Sequence, residues 1–157
     1  MVFVRLIERR DFKDLNVIQK LYKDLNVIQK LYKDLGYEMS ITDINEQLTK
    51  IYQHQDYYML LLIKDEKIIG FSGMCKMMFY EKSGYYMRIL AFVVDHNYRQ
   101  LGYGTYLINK SESLAKSLDC NVIALNSGIK LERNNAYHFY HRNNYIKKSY
   151  GYSKKLK

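Results

Sequence analysis

Apolar positions along the chain follow two periods, which predict strands and helices in a definite order. Continuous or alternating apolar runs indicate strands, and apolar residues three and four apart indicate amphipathic helices. Short turns between successive strands give antiparallel pairs, whereas the helical crossover between 85–95 and 120–126 gives a parallel pair. This predicts a single α+β domain over 1–157, with a mixed, mostly antiparallel sheet flanked by helices. The predicted strands are 2–8, 57–64, 67–78, 85–95, 120–126 and 145–155, and the predicted helices are 11–36, 42–53, 102–118 and 131–142.

The first predicted helix contains a tandem duplication. The ten residues KDLNVIQKLY at 13–22 occur again, unchanged, at 23–32. Apolar positions still recur every three or four residues across both copies, so one long helix is feasible. The alternative is an ordinary helix with one copy looped out. The repeat contains no Gly or Pro, which favours the long helix. Its outer turns would then carry an apolar face for pairing with a second subunit, as a homodimer.

Composition narrows the class of protein. The chain has 157 residues, 48% of them apolar, which excludes a disordered chain, a collagen and a disulfide scaffold. Its longest apolar runs fall far short of the ~20 residues that span a bilayer. Cys75 and Cys120 fit free thiols in a reducing compartment, and we see no signal peptide, so a cytoplasmic protein is expected. The net charge of +9 favours anionic partners, such as nucleic acid or a phosphorylated cofactor.

The segment from 89 to 105, ILAFVVDHNYRQLGYGT, carries the candidate chemistry. An apolar strand ends at Asp95, and Arg99, Gly102 and Gly104 open a helix. Glycine permits a positive φ and close backbone approach. The first amides of a helix lack internal partners and lie at the positive end of its dipole, so they form a nest for an anion such as pyrophosphate. A glycine-rich helix start without a ligand is the alternative.

Two segments resemble signatures of one family. VVDHNYRQLGYG, residues 93–104, is similar to the acetyl-CoA motif of the GNAT-superfamily N-acetyltransferases, (Q/R)xxGx(G/A) after an apolar strand. NNAYHFYHRNNYIKKSYGYSKKL, residues 134–156, resembles the family's following helix, with Ala–x–x–Phe–Tyr, and the strand after it. The chain departs from the family pattern at His96, where proline is usual, at Gln100, where glycine is usual, and at Asn144–Tyr145, where Gly–Phe is usual.

The resemblance implies a fold and a set of site residues. The sheet would be splayed between its fourth and fifth strands, where the pantetheine arm of acetyl-CoA would pair with strand backbone and its pyrophosphate would lie on the helix amides. Tyr140 stands at the position of the family's catalytic tyrosine, which would protonate the leaving thiolate. No metal is implied. The implied cofactor-binding residues are Phe92, Val93, Val94, Arg99, Gln100, Leu101, Gly102, Tyr103, Gly104, Thr105 and Asn135.

The implied reaction transfers an acetyl group from acetyl-CoA to a primary amine through a tetrahedral intermediate. The acceptor, a small molecule or a protein amine, stays open. No carboxylate in the strand at 85–94 is placed as a general base, and Asp95 and His138 are weak candidates for that role. Two alternatives therefore remain: an acetyltransferase that docks on RNA or the ribosome, and a non-catalytic CoA-binding or dimerising module.

Overall fold

The computed structural model of the chain describes residues 1–8, 18–128 and 134–156, and within the first helix it describes side chains from Asp24 onward. The chain divides into two compact units, Met1–Ala124 and Leu125–Lys157. The first residues of the helix predicted over 11–36, including residues 13–17 of the first repeat copy, lie outside the described residues. In the described part of the chain, no helix combines the length and apolar character needed to span a membrane.

The element order follows the predicted order up to the last helix. A short 3₁₀ turn, His96–Tyr98, stands between the fourth strand and the third helix. The strands are β1 (Val2–Leu6), β2 (Tyr57–Lys64), β3 (Lys67–Met78), β4 (Tyr85–Val94) and β5 (Cys120–Leu125), and the helices are α1 (Ile18–Asp34), α2 (Ile41–Gln53), α3 (Tyr103–Ser117) and α4 (Asn134–Arg142). These elements confirm the α+β class.

The five strands form one open, mixed sheet in the order β1-β2-β3-β4-β5. The first three neighbouring pairs are antiparallel. The pairing of β3 with β4 contains a bulge, because Gly73 opposes Ala91 whereas Met74 opposes Ile89, which leaves Leu90 as the extra residue. A bulge bends the strand and increases its twist. The bend therefore lies in β4, four residues before that strand ends.

The predicted final strand, 145–155, is wrong. Residues 145–156 contain no strand in the structure, and four large apolar side chains of this segment face solvent. Alternation of apolar and polar residues suggested a strand, but a strand forms only where a neighbouring backbone accepts its hydrogen bonds. Local alternation does not specify such a neighbour. The exposed side chains are Ile146, Tyr150, Tyr152 and Leu156.

The core of the first unit lies between the sheet and the first two helices. The second copy of the duplication supplies the buried face of α1, through Leu25, Ile28 and Leu31. Ile44 and Leu48 of α2 pack in the same cluster, together with side chains of β2 and β3. In the part of α1 whose side chains are described, the buried positions thus belong to the second copy.

The helix ends follow local capping chemistry. Gly36, with φ +92°, ends α1 as predicted, and its N–H donates to the Lys33 carbonyl at 2.9 Å. The predicted start of the second helix, at residue 42, is wrong by one residue, since α2 begins at Ile41. Ser40 is the cap: its hydroxyl oxygen accepts from the Asp43 N–H at 3.1 Å and its O–H donates to the Asp43 carboxylate at 2.7 Å.

Candidate active site

The turn from β4 into α3 is built on two left-handed residues. Gln100 has φ +62° and Gly102 has φ +82°. Glycine adopts this conformation without steric cost, whereas a residue with a Cβ pays roughly 1–2 kcal/mol. A Cβ added at Gly102 would meet no atom within 4 Å, so the space in front of the helix start is open.

The N-terminus of α3 is left without a side-chain cap. Gly102 is its N-cap residue and provides no side-chain cap, and the first turn holds no acidic residue. The Tyr106 N–H donates to the Gly102 carbonyl at 3.0 Å, which is the first bond of the helix. The amides of Tyr103, Gly104 and Thr105 precede that bond, so they have no partner within the helix. This is an electropositive site for an anion.

A buried serine pair anchors α3 to the sheet. The Ser111 hydroxyl lies 3.0 Å from both the Ser72 hydroxyl on β3 and the Leu107 carbonyl. Both serines are fully buried, and Leu107 and Ile108 are buried on the same helix face. The pair satisfies two polar groups that would otherwise be costly to bury. These contacts fix α3 against β3, and they thereby fix the position of its N-terminus.

Asp95, directly after β4, is buried and fully engaged. Its N–H donates to the Ile69 carbonyl at 2.8 Å, which continues the ladder with β3. Its carboxylate accepts from Lys30 Nζ at 2.8 Å and from the Asn97 N–H at 3.0 Å. Burial acts to raise the pKa of Asp95, but the bonds from Lys30 and Asn97 outweigh it and hold the pKa below its ordinary value. Asp95 is therefore ionised and structural.

Arg99 is held by two contacts. Its Nε donates to the Val94 carbonyl at 2.9 Å, and an Nη lies 3.7 Å from the Asp34 carboxylate. Half of the Arg99 side chain stays exposed, whereas the Asp34 side chain is 19% exposed. Asp34, Asp95 and His96 have ligand atoms within 4.8 Å of one another. Lys30 and Arg99 already neutralise these two carboxylates, so ion pairing accounts for the cluster.

The backbone N–H and C=O groups of successive residues in β4 point alternately toward β3 and away from it. Since Asp95 bonds directly to Ile69, the pair of Val93 with Phe71 is the next hydrogen-bonded pair, and the pair of Val94 with Gly70 is not. The N–H of Val94 therefore points away from β3, toward the β5 side, as do the backbone groups of Phe92. Val93 directs its backbone to β3, and its side chain belongs to the core.

The structure brings ten of the predicted site residues, Phe92 to Val94 and Arg99 to Thr105, onto one strand-to-helix junction. The sequence did not indicate Lys30 and Asp34, the partners of this junction. Their spacing of four residues on a helix places them on one face, but only the folded chain shows what that face meets.

The other two predicted site residues lie in the second unit. Asn135 is exposed in the first turn of α4, and Tyr140 is partly buried near its end. The Tyr140 ring lies 5.2 Å from that of Phe139 and 5.9 Å from that of Tyr145. The Tyr145 N–H donates to the Tyr140 carbonyl at 3.0 Å, and Asn144 adopts φ +64°. Asn thus takes the left-handed conformation that a glycine usually takes in the family pattern.

The model of the acetyltransferase (GNAT) family matches residues 18–145 of this chain. A GNAT family acetyltransferase structure from Staphylococcus aureus is 44% identical, covers 99% of this chain and 98% of its own, and superposes with a TM-score of 0.82. The chain therefore belongs to the GNAT acetyltransferase family.

Two more distant structures share the fold. Glucosamine-6-phosphate N-acetyltransferase from Arabidopsis thaliana is 18% identical over 100% of this chain and 99% of its own, with a TM-score of 0.78. An aminoglycoside acetyltransferase in complex with sisomicin, from an uncultured soil metagenomic sample, is 14% identical over 99% and 97%, with a TM-score of 0.76. None of the curated proteins compared with the chain matches it.

Proposed function

We propose that this protein is an acetyl-CoA-dependent N-acetyltransferase that acts on a primary amine. The observation that carries the proposal is the uncapped start of α3, opened by a left-handed Gly102, in a chain of the GNAT family. Bound acetyl-CoA supplies an activated acyl thioester. The names of the two distant structures, a glucosamine-6-phosphate and an aminoglycoside acetyltransferase, support an amine acceptor. The thiols of Cys75 and Cys120 are free of disulfides, which favours a reducing, cytoplasmic setting.

In this proposal two backbone segments at the junction of β4 and α3 bind different parts of the cofactor. The amides from Gln100 to Gly104, with Thr105 close behind, hold the pyrophosphate at the helix start. Arg99, whose N–H donates to the His96 carbonyl at 3.4 Å, adds its guanidinium. The strand from Phe92 to Val94 receives the pantetheine arm on its β5 side, with Phe92 offering backbone groups, Val94 offering its N–H and Val93 fixing the strand in the core. Asn135, by its place at the start of the family's second signature, is a further candidate for cofactor binding.

The proposed reaction forms a bond from the amine nitrogen to the acyl carbon and breaks the carbon–sulfur bond. The amine loses one proton and the departing thiolate gains one. The Val94 N–H, directed away from β3, is the candidate donor to the oxyanion that develops on the acyl oxygen. Tyr140, by its place in the family motif, is the candidate acid for the thiolate.

The described residues of β4 include no carboxylate that could serve as a general base, and Arg88 stands in this strand instead. Asp95 is excluded as a base because its lowered pKa and its bonds to Lys30 and Asn97 leave no proton-accepting capacity near neutral pH. Since an alkyl ammonium has a pKa near ~10.4, turnover should increase with pH as the neutral amine becomes more abundant.

A thiol-release assay with a panel of primary amines tests the reaction. With an accepted amine, Tyr140→Phe should lower kcat by about 100-fold, since general acid catalysis contributes on that order, with little change in the KM for acetyl-CoA. Tyr150→Phe, which alters an exposed tyrosine of the same unit, is the control. An unchanged kcat in Tyr140→Phe would remove Tyr140 from the chemistry. Absence of thiol release with every amine would favour a non-catalytic CoA-binding module.

A further inference from the structure

The last two turns of α1 contact the loop that leads into α3. Lys30 and Asp34 lie one turn apart on this helix. Lys30 Nζ is 2.8 Å from the Asp95 carboxylate, and the Asp34 carboxylate is 3.7 Å from Arg99 and 3.4 Å from His96 Nδ1. A helix that contributes no residue to the proposed cofactor segments thus contacts both ends of the 95–99 loop.

The two ion pairs differ from ordinary surface pairs in their burial. The carboxylates are the shielded partners, with the Asp34 side chain 19% exposed and the Asp95 side chain 10% exposed. The cations are the open partners, with Lys30 at 45% and Arg99 at 51%. A partly buried carboxylate is screened less by salt, so it restrains its cation more strongly than an exposed one would.

Arg99 gains a fixed direction from this arrangement. A free arginine side chain samples many rotamers and loses that freedom when it binds an anion. Here the Val94 carbonyl accepts a hydrogen bond from Nε–H and the Asp34 carboxylate forms an ion pair with one Nη, so the guanidinium is ordered while half of the side chain remains exposed. Ordering a binding group before the ligand arrives reduces the free-energy cost of binding.

We propose that Asp34 is a positioning residue for Arg99 and that α1, through Asp34 and Lys30, fixes the pyrophosphate-binding loop for the cofactor. This inference rests on the proposed function, in that CoA is the ligand of the junction. Asp34 itself touches no ligand in the proposal and acts only through Arg99. Its loss should therefore weaken cofactor binding and raise the KM for acetyl-CoA, more than it lowers kcat.

A thermodynamic cycle on CoA affinity tests the proposal. Calorimetry would give the Kd of CoA for the wild type, Asp34→Asn, Arg99→Gln and the double variant. We expect Asp34→Asn to weaken binding by roughly 5-fold and Arg99→Gln by roughly 10-fold, with the double variant no weaker than Arg99→Gln alone, because interacting groups are non-additive. Asp34→Glu should restore part of the affinity. Glu46→Gln, an exposed carboxylate on α2, is the matched control.

Three results would overturn the proposal. Unchanged CoA binding by Asp34→Asn would mean that the carboxylate does not position Arg99, and tighter binding would mean that it competes with the ligand for Arg99. Losses that add in the double variant would mean that Asp34 does not act through Arg99. In a steady-state assay of Asp34→Asn, a decrease in kcat without an increase in the KM for acetyl-CoA would mean that Asp34 acts in the reaction itself and not in cofactor binding. If the wild type bound no CoA, the proposed function would fall as well, which separates the two failures.

Discussion

Gly70 lies on β3 directly against the backbone of β4. A Cβ built on this residue would lie 2.6 Å from the Val93 carbonyl oxygen and 3.2 Å from the Val94 Cα, both of them backbone atoms. Backbone atoms cannot move aside as the end of a flexible side chain can. The absence of a side chain at Gly70 therefore allows β4 to hold its position where the proposed pantetheine strand ends.

Gly70→Ala should accordingly lower stability. Forcing a methyl group into a closely packed site costs about 1–3 kcal/mol, or roughly 2–10 °C in Tm for a chain of this size. Gly73→Ala is the matched control, since its Cβ would meet Ala91 Cβ at an ordinary 3.7 Å. Thermal unfolding of both variants would decide the matter, and equal Tm values would contradict the described register.

At the scale of elements, α1 has two roles that the sequence did not separate. Its buried face, Leu25, Ile28 and Leu31, comes from the second repeat copy, and its ion pairs reach the loop before α3. Because the copies are identical, removing 23–32 leaves a chain that reads KDLNVIQKLYKDLGYE into the helix end, the same as 23–38 now. The core residues and both ion-pairing side chains are thereby regenerated.

Deletion of 23–32 should therefore leave a folded protein that still binds acetyl-CoA. The measurement is thermal unfolding with and without acetyl-CoA, beside light scattering for the oligomeric state. A folded deletion variant without a ligand-dependent Tm shift would contradict this account of α1. A change from dimer to monomer would assign the removed turns to a subunit interface.

The Lys30–Asp95 pair gives stability a defined pH dependence. The folded-state pKa of Asp95 is lowered, so the pair stabilises the protein above the unfolded value near ~3.9 and is lost as pH falls through the lowered pKa. The hydrogen bond to Asp95 raises the pKa of Lys30, so that contribution persists until pH rises past the lysine's raised pKa, above ~10.4.

Lys30→Met should consequently reduce the free energy of unfolding by about 1 kcal/mol between about pH 5 and pH 9, a modest value because Lys30 is 45% exposed. The difference from the wild type should begin to close as pH falls below the ordinary carboxyl pKa near ~3.9, and it should vanish below the lowered pKa of Asp95. Urea unfolding across this range measures it, with Lys50→Met on α2 as the control. A difference that persists unchanged at low pH would indicate lost packing instead of a lost ion pair.

Features specified by residues close together in the sequence were predicted correctly, whereas features that depend on distant residues were not. β2 and β3 were predicted at their observed bounds, because apolar runs closed by the polar turn at 65–66 are local signals. The start of α3 at Gly102 was likewise predicted from local sequence, because glycine favours such a turn. The strand at 145–155 was wrong because strand pairing depends on a partner elsewhere, and Lys30 and Asp34 were missed because their contacts lie 65 residues away in sequence.

At the scale of the whole molecule, the sheet places the end of β4 next to the start of α3, and this junction is the proposed cofactor site. The excess of 25 Lys and Arg over 16 Asp and Glu gives a positive field that attracts a polyanionic cofactor. Charge alone does not distinguish a cofactor from nucleic acid. The particular geometry at Gly102, an uncapped helix start with open space in front of it, favours a compact anion such as pyrophosphate.

The central claim is that the start of α3 binds acetyl-CoA, and thermal unfolding tests it most directly. Acetyl-CoA at 100 times its Kd should add about 2.7 kcal/mol, or roughly 5–10 °C in Tm. Gly102→Glu should abolish the shift by placing a carboxylate among the helix amides. Gly36→Glu, equally left-handed and uncrowded, carries the same strain and charge away from α3 and should retain it. No shift in the wild type, or an undiminished shift in Gly102→Glu, would contradict the account.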